Sequence, residues 1–197
     1  MTVAFLHGDR VALRPFERED LPLLQRSRND PGIREPLTFS TPSNADDVEE
    51  FYDAVMQGDD NVNLVVQRPD EDDGTDACRA DAGRADAGRA GAGVVTLFDV
   101  SRHAAELAYW ILPAFHGEGF GTEAAALLVD HAFQGMGLHR LRAKALVDND
   151  ASRAVLDRLG FRDEGRSRDA VFQRGAYRDH VRYGLLEGEW DGVDGVL

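Results

Sequence analysis

The sequence predicts a mixed α/β domain, and three observations predict it. A strand-like run, Glu106-Leu107-Ala108-Tyr109-Trp110-Ile111-Leu112, leads past Pro113 into three alternate glycines at 117, 119 and 121 and then into a helix. Elsewhere, short runs rich in Val and Leu alternate with stretches whose apolar residues recur every three or four positions. The last part of the chain carries two strand-like runs in succession, which reads as an antiparallel pair rather than another βα unit. At 197 residues with 43% hydrophobic content, the chain is long enough for one domain, 1–197, with its own core.

Taken in order, residues 8 to 15, Gly-Asp-Arg-Val-Ala-Leu-Arg-Pro, alternate like a strand. Glu17 to Asp20 then open a short helix at Leu21-Pro22, because proline is tolerated in a first turn. Asn29-Asp30-Pro31-Gly32 breaks it. Ser43-x-x-Asp46 predicts a capping box ahead of Val48, Phe51, Tyr52 and Val55, which fall on one helical face. Val62 to Gln67 and Val94 to Phe98 read as the second and third strands. Between them, Arg-Ala-Asp-Ala-Gly occurs at 79–83 and 84–88, followed by Arg-Ala-Gly-Ala-Gly. A pentapeptide without a large apolar residue buries too little surface to offset its ordering entropy, so about 68–93 reads as a disordered, low-complexity hairpin insertion.

The fourth strand is the run from Glu106 to Leu112. In the helix after the glycines, Phe120, Ala124, Leu127, Leu128 and His131 share a face. His139 to Val147 is the fifth strand, and Asn149 to Gly160 a helix with Val155, Leu156 and Leu159 inward and Gly160 as its stop. Residues from about 163 to 174 and 177 to 186 form the final pair, joined near Arg174-Gly175. The tail beyond Trp190 reads as loose.

The composition narrows the function. Net charge is −14, Asp outnumbers Glu by 24 to 12, and among 22 basic residues only Lys144 is lysine. Short carboxylates that hold water and ions, with few long lysine stems, are the composition expected of a halophilic protein. Without a basic stripe to offset the acid, direct nucleic-acid binding is disfavoured. No run of about 18 apolar residues and no basic-then-apolar N-terminus is present, so the protein reads as cytoplasmic with no membrane partner. The single cysteine, Cys78, and six histidines without close ligand spacing predict no disulfide and no metal.

The stretch His116-Gly117-Glu118-Gly119-Phe120-Gly121-Thr122 carries the chemistry. Glycine lets the backbone turn where a Cβ would clash, so successive amides can converge on one point, and the helix that follows adds unpaired N–H groups and its positive dipole end. A phosphate or pyrophosphate suits such a place. A Walker loop needs Gly-Lys-Ser/Thr at the helix start, and no lysine stands there; the dinucleotide fingerprint G-x-G-x-x-G fails because Thr122 occupies its last glycine position. The same residues resemble motif A of the GNAT N-acetyltransferases, R/Q-x-x-G-x-G/A, with His116, Gly119 and Gly121 at the defined positions.

Over nearly its whole length the chain is similar to the RimJ/RimL branch of that family, the type that acetylates ribosomal-protein N-termini. The supporting fragments include Val11-x-Leu13-Arg14-Pro15, Asn29-Asp30-Pro31, Glu106-Leu107-Ala108-Tyr109-Trp110, Asn149-x-x-Ser152, Leu159-Gly160-Phe161 and Asp179-His180-Val181. The resemblance implies a mostly antiparallel sheet of six to seven strands, splayed where the fourth and fifth part, flanked by about four helices. It implies acetyl-CoA as cosubstrate, with Trp110, Ile111 and Leu112 offering backbone hydrogen bonds to the pantetheine. His116, Gly117, Glu118, Gly119, Phe120, Gly121 and Thr122 would hold the pyrophosphate, and Asn149 and Ser152 would approach from the facing side. The loop 30–43 would border the acceptor, and a homodimer is compatible with the branch.

Two departures stand out. His116 replaces the usual Arg or Gln, and Leu156 stands where many GNATs place a tyrosine acid. The expected chemistry is direct attack of an amine on the thioester through a tetrahedral intermediate, with Ser152 hydrogen-bonding the sulfur and Glu106 as base. Ser152 also reads as a helix cap, Glu106 as a solvated strand-end charge, His116 as a loop residue, and Tyr109 and Trp110 as core. The favoured acceptor is a protein N-terminal α-amine, for example of a ribosomal protein; a polyamine or antibiotic, and a non-catalytic acyl-CoA-binding module, are the alternatives.

Overall fold

The computed structural model describes residues 3–69 and 91–197. Most of the expected insertion at about 68–93 therefore lies outside the described residues. The chain opens with a hairpin of β1 (Leu6–His7) and β2 (Ala12–Pro15), not one strand over 8–15. Gly8-Asp9-Arg10 turns the backbone, and the Gly8 N–H donates to the Val11 carbonyl at 2.9 Å. α1 (Leu21–Asn29) carries Pro22 in its first turn as expected, and Asp20 pins it to β2 through two bonds from the buried Arg14 guanidinium, 2.6 and 2.7 Å. A single turn, α2 (Pro31–Arg34), follows under the Asp30 cap. The next capping box uses Asn44 and Asp47, one residue later than expected, ahead of α3 (Ala45–Phe51). Ser43 is occupied elsewhere: its backbone exchanges hydrogen bonds with the Asn29 side chain, tying the ends of the loop together.

β3 (Val62–Gln67), β4 (Gly93–Phe98) and β5 (Ala104–Ile111) follow as antiparallel neighbours, then α4 (Phe120–Asp130), β6 (Arg140–Leu146), α5 (Asp150–Arg158), β7 (Arg162–Gln173) and β8 (Ala176–Leu186). The eight-stranded sheet runs β1-β2-β3-β4-β5-β6-β8-β7, antiparallel except for β5 and β6. Its count exceeds the expected six to seven through the two-residue β1, so the parting pair becomes the fifth and sixth strands. β7 and β8 join through Arg174 and Gly175, both at positive φ (50° and 80°), the geometry of a type I′ turn.

Side-chain alternation sorts the sheet into two faces. Ile111 lies 3.4 Å from where a Cβ on α4's Gly121 would stand, and Tyr183 meets Arg153 of α5, so Leu107, Tyr109, Ile111, Val181, Tyr183 and Leu185 share the α4–α5 face. The opposite face meets α1 and α3 over β2 to β4: Leu23 approaches Val65 beside Gly91, and Asn63 donates to the Met56 carbonyl just past α3. Over β6 and β8 no described helix covers that face, and Arg142, Lys144 and Arg182 on it are exposed. The tail beyond Trp190 is docked rather than loose, because Trp190 donates to Asp130 at 3.0 Å, Arg158 donates to the Val196 carbonyl at 2.9 Å, and Val196 is buried.

Candidate active site

The site is a fork in the sheet. β5 and β6 are paired over three rungs only, Ala104↔Arg140, Ala105↔Leu141 and Glu106↔Arg142, and then part. Alternation decides which backbone groups face the gap. Leu112 donates to the Ala92 carbonyl beside β4, whereas the His103 carbonyl accepts from His139 and Arg140 on the β6 side. Residues 106, 108, 110 and 112 therefore address β4, and 107, 109 and 111 address the gap. Of Trp110, Ile111 and Leu112, only Ile111 turns its backbone into the opening, joined there by Tyr109. The Ile111 carbonyl is already bonded by His116 Nε2 at 2.8 Å, so that nitrogen carries the proton.

Beside it lies the glycine loop. Gly117 and Gly119 sit at φ +80° and +83°, left-handed conformations that Cβ-bearing residues adopt at a cost, and Gly119 is the N-terminal cap of α4. The first helical bond runs from the Glu123 N–H to the Gly119 carbonyl, 3.0 Å, so the N–H groups of Phe120, Gly121 and Thr122 have no partner within the helix. An anion fits there. Two cations unforeseen in the sequence flank the loop. A Cβ on Gly119 would lie 3.7–3.9 Å from Arg10 Cδ, Nε and Nη1, and Arg68 pairs with Glu118 at 3.0 Å while lying over the Phe115 and Phe120 rings. Arg10 is held from below. Glu123, with no exposed surface, accepts from the Arg10 backbone N–H at 2.9 Å and from its guanidinium at 3.3 Å.

Across the fork, Asn149 caps α5 by accepting from the Ser152 N–H at 3.1 Å, which commits its carbonyl oxygen and leaves its NH2 group. Ser152 sits in the first turn of α5, and Leu156 is core. A tyrosine reaches this place from the other strand. The Tyr109 hydroxyl crosses from β5 to the Ser152 carbonyl at 3.1 Å and lies 3.2 Å from the Ser152 hydroxyl. Burial, reinforced by Tyr183 and opposed by the Ser152 hydrogen bond, pushes Tyr109 up to about 12 from its usual 10.

On the open face, Glu106 is no free carboxylate: Lys144 Nζ lies 3.0 Å from its Oε1. His180, on β8 opposite Leu146, is half-buried and kept neutral, its pKa lowered by burial and then by Lys144, with Glu106 working the other way. The loop 30–43 borders this face. Arg28 lies over the Phe39 and Phe51 rings, 3.9 and 4.3 Å from their centroids, and Glu35 binds Gln173 and Arg174 at the tip of the β7–β8 hairpin. Among the described residues, no group of three His, Cys, Asp or Glu is placed to hold a metal, and no helix is long and apolar enough to cross a membrane.

Known proteins resemble this chain in sequence and in fold. The acetyltransferase (GNAT) domain family matches residues 10–162. A Bacillus subtilis protein named as a candidate ribosomal N-acetyltransferase, YdaF, is 39% identical over 102 residues, 51% of this chain and little more than half, 56%, of its own length. The spermidine N(1)-acetyltransferase of Escherichia coli K12 is 27% identical over 183 residues, 91% of this chain and 88% of that protein. The crystal structure of the Vibrio cholerae spermidine N-acetyltransferase, in complex with CoA and spermine, superposes with a TM-score of 0.78 at 22% identity, covering 92% of this chain and 98% of the other. That likeness is one of fold.

Proposed function

The chain belongs to the GNAT family of acetyl-CoA-dependent N-acetyltransferases, and we propose that the amine it acetylates is the α-amine of a protein N-terminus. The observation that carries acetyl-CoA binding is the three-rung fork between β5 and β6 beside the glycine loop; the choice of acceptor rests on the kinship and the ion pairs given below. In this reading Phe120, Gly121 and Thr122 bind the pyrophosphate through their N–H groups, Arg10 and Arg68 flank the phosphates where the family usually has a single Arg or Gln at the position of His116, and Tyr109 and Ile111 present backbone to the pantetheine arm. Holding thioester and amine together converts their encounter into an intramolecular step. A gap-facing N–H of β5 polarises the thioester carbonyl.

The attacking amine must be neutral. Glu106 is engaged by Lys144, and the half-buried imidazole of His180 stands on the same face, so the proton passes to His180 while Glu106 holds Lys144. Tyr109 stays protonated and hydrogen-bonds to the Ser152 carbonyl, which leaves the Ser152 hydroxyl to turn toward the departing sulfur. We place the reaction in the cytoplasm, where acetyl-CoA and new N-termini meet.

Kinship with a candidate ribosomal acetyltransferase supports the α-amine. So does the state of the acids near the fork: Glu106 is bound to Lys144 and Glu35 to Arg174, which leaves neither to receive a polycation. The likeness to a spermidine acetyltransferase favours a polyamine as the second reading. A transfer assay separates them. In molar KCl, Ser- and Ala-initiated peptides are expected to be acetylated with a kcat/KM at least about tenfold above that of spermidine, a gap of about 1.4 kcal/mol; faster transfer to spermidine would give the site to small amines. Ser152→Ala is expected to lower turnover on the same peptides by roughly ten- to a hundredfold with acetyl-CoA affinity intact. Equal turnover would remove the hydroxyl from the mechanism.

A further inference from the structure

The open face of the fork carries a cationic cluster that acetyl transfer by itself does not use. Arg142 and Lys144 alternate outward on β6, and Arg182 stands directly opposite Lys144 on β8. All three are exposed, although the whole chain has 36 acidic against 22 basic residues. Lys144 has Glu106 as its partner, but among the described residues neither Arg142 nor Arg182 has an acidic group within 4.0 Å. Like charges opposite each other on paired strands destabilise a sheet. Arg28, Arg102, Arg158, Arg166 and Arg168 also lack a carboxylate within 4.0 Å among the described residues, so what distinguishes Arg142 and Arg182 is their place beside the fork.

Their position gives them a use. Arg142 forms the last rung with Glu106, so its side chain leaves the sheet where the strands part, on the face away from the glycine loop. His180 lies on the same face, two residues from Arg182 along β8. An acceptor that presents its amine at the fork from this side passes over both guanidinium groups. We propose that Arg142 and Arg182 bind a carboxylate of the acceptor, which is therefore a peptide whose N-terminal amine is followed within two or three residues by Asp or Glu.

This rests on the α-amine reading and narrows it. In an extended peptide, a carboxylate two or three residues from the amine lies roughly 7–10 Å along the chain, and a two-residue step on β6 spans about 7 Å. A planar guanidinium takes a carboxylate through two parallel hydrogen bonds, a contact made at touching distance. Such a contact persists when salt shortens the Debye length to roughly 3 Å, whereas long-range steering does not. Spermidine, a polycation, would meet the same arginines with its like charge.

The test uses the full chain in molar KCl with two C-terminally amidated peptides, Ser-Asp-Glu-Ala and Ser-Lys-Lys-Ala. Two quantities are read: kcat/KM for acetyl transfer, and calorimetric binding of each peptide to protein saturated with CoA. The acidic peptide is expected to lead by at least about tenfold, mostly through KM, and R142A/R182A to abolish that lead with acetyl-CoA affinity unchanged and the unfolding temperature not lowered, since a like-charge pair is removed. R182E is expected to turn the preference toward the lysine peptide. Transfer to both peptides alike, or a lead that survives R142A/R182A, would overturn the carboxylate site and leave the α-amine reading standing. Acidic-peptide binding that R142A/R182A removes, without transfer to either peptide, would uphold the site and overturn the reading.

Discussion

Tyr109 is where the two arms of the fork touch, and its titration reports on that contact. Its folded pKa of about 12 stands above the ordinary value of 10.0, chiefly because burial disfavours the phenolate. A raised folded pKa means that the folded state holds this proton more tightly than the unfolded chain does. The resulting stability is complete below pH 10 and is lost as pH rises from about 10 to 12. At about 1.4 kcal/mol per unit, the loss is roughly 3 kcal/mol. Urea unfolding followed from pH 9 to 12 is expected to show a steeper fall for the wild type than for Tyr109→Phe, which has no phenol to ionise; parallel curves would mean that the hydroxyl is not held as described. The place of Ser152 in a first helical turn was legible from Asn149-x-x-Ser152, since a cap and its N3 residue are three apart. Tyr109's reach was not. Strand alternation tells which way a side chain points, but not that the neighbouring strand has moved away and left α5 within range.

At the level of elements, the β1–β2 turn is fastened to the start of α4 by one buried carboxylate. Glu123 takes the Arg10 N–H and guanidinium, and a Cβ on Gly8 would lie 2.3 Å from Glu123 Oε1, so the turn approaches more closely than any other residue at 8 would permit. The positive end of α4 favours the negative charge there. If Glu123 acts on the coenzyme by holding Arg10 over Gly119, the two residues form one unit. Arg10→Ala is expected to weaken acetyl-CoA binding about five- to tenfold, about 1 kcal/mol, and Glu123→Gln to weaken it less. The double variant is expected to match Arg10→Ala; additive losses in a calorimetric cycle would mean that Glu123 does not work through Arg10. The order of elements, the glycine loop and the last hairpin were readable because each depends on residues within one turn or one strand. The Arg10 contact links positions 113 apart, so no local signal announces it. The same limit explains the other departures: a turn at Gly8-Asp9 alternates as a strand would, Asn44 outcompetes Ser43 once Ser43 is bonded to Asn29, and Val196 looks like a loose end until Arg158 binds it.

For the whole molecule, the deciding quantity is the balance between self-repulsion and ion pairing. A net charge of −14 on 197 residues repels itself in dilute buffer, and Asp in excess of Glu leaves short carboxylates that can hold hydrated cations. Against this stand surface pairs such as Arg18 with Glu49 and Asp53, both at 2.5 Å, and Arg162 with Glu189 at 3.0 Å. Exposed pairs contribute about 0–1 kcal/mol each, and salt weakens them too. Their geometry is local, however, while the repulsion acts over the whole surface, so shortening the Debye length from roughly 10 Å at 0.1 M to 3 Å at 1 M removes more of the second than of the first. The thermal unfolding temperature is therefore expected to rise from dilute buffer to molar KCl, by about 2–4 °C for each kcal/mol of repulsion relieved. Substituting Asp on the surface by Asn should flatten that rise in proportion to the charge removed. If the unfolding temperature instead fell with KCl, the ion pairs would outweigh the repulsion, and the acidic composition would have to serve something other than stability in concentrated salt.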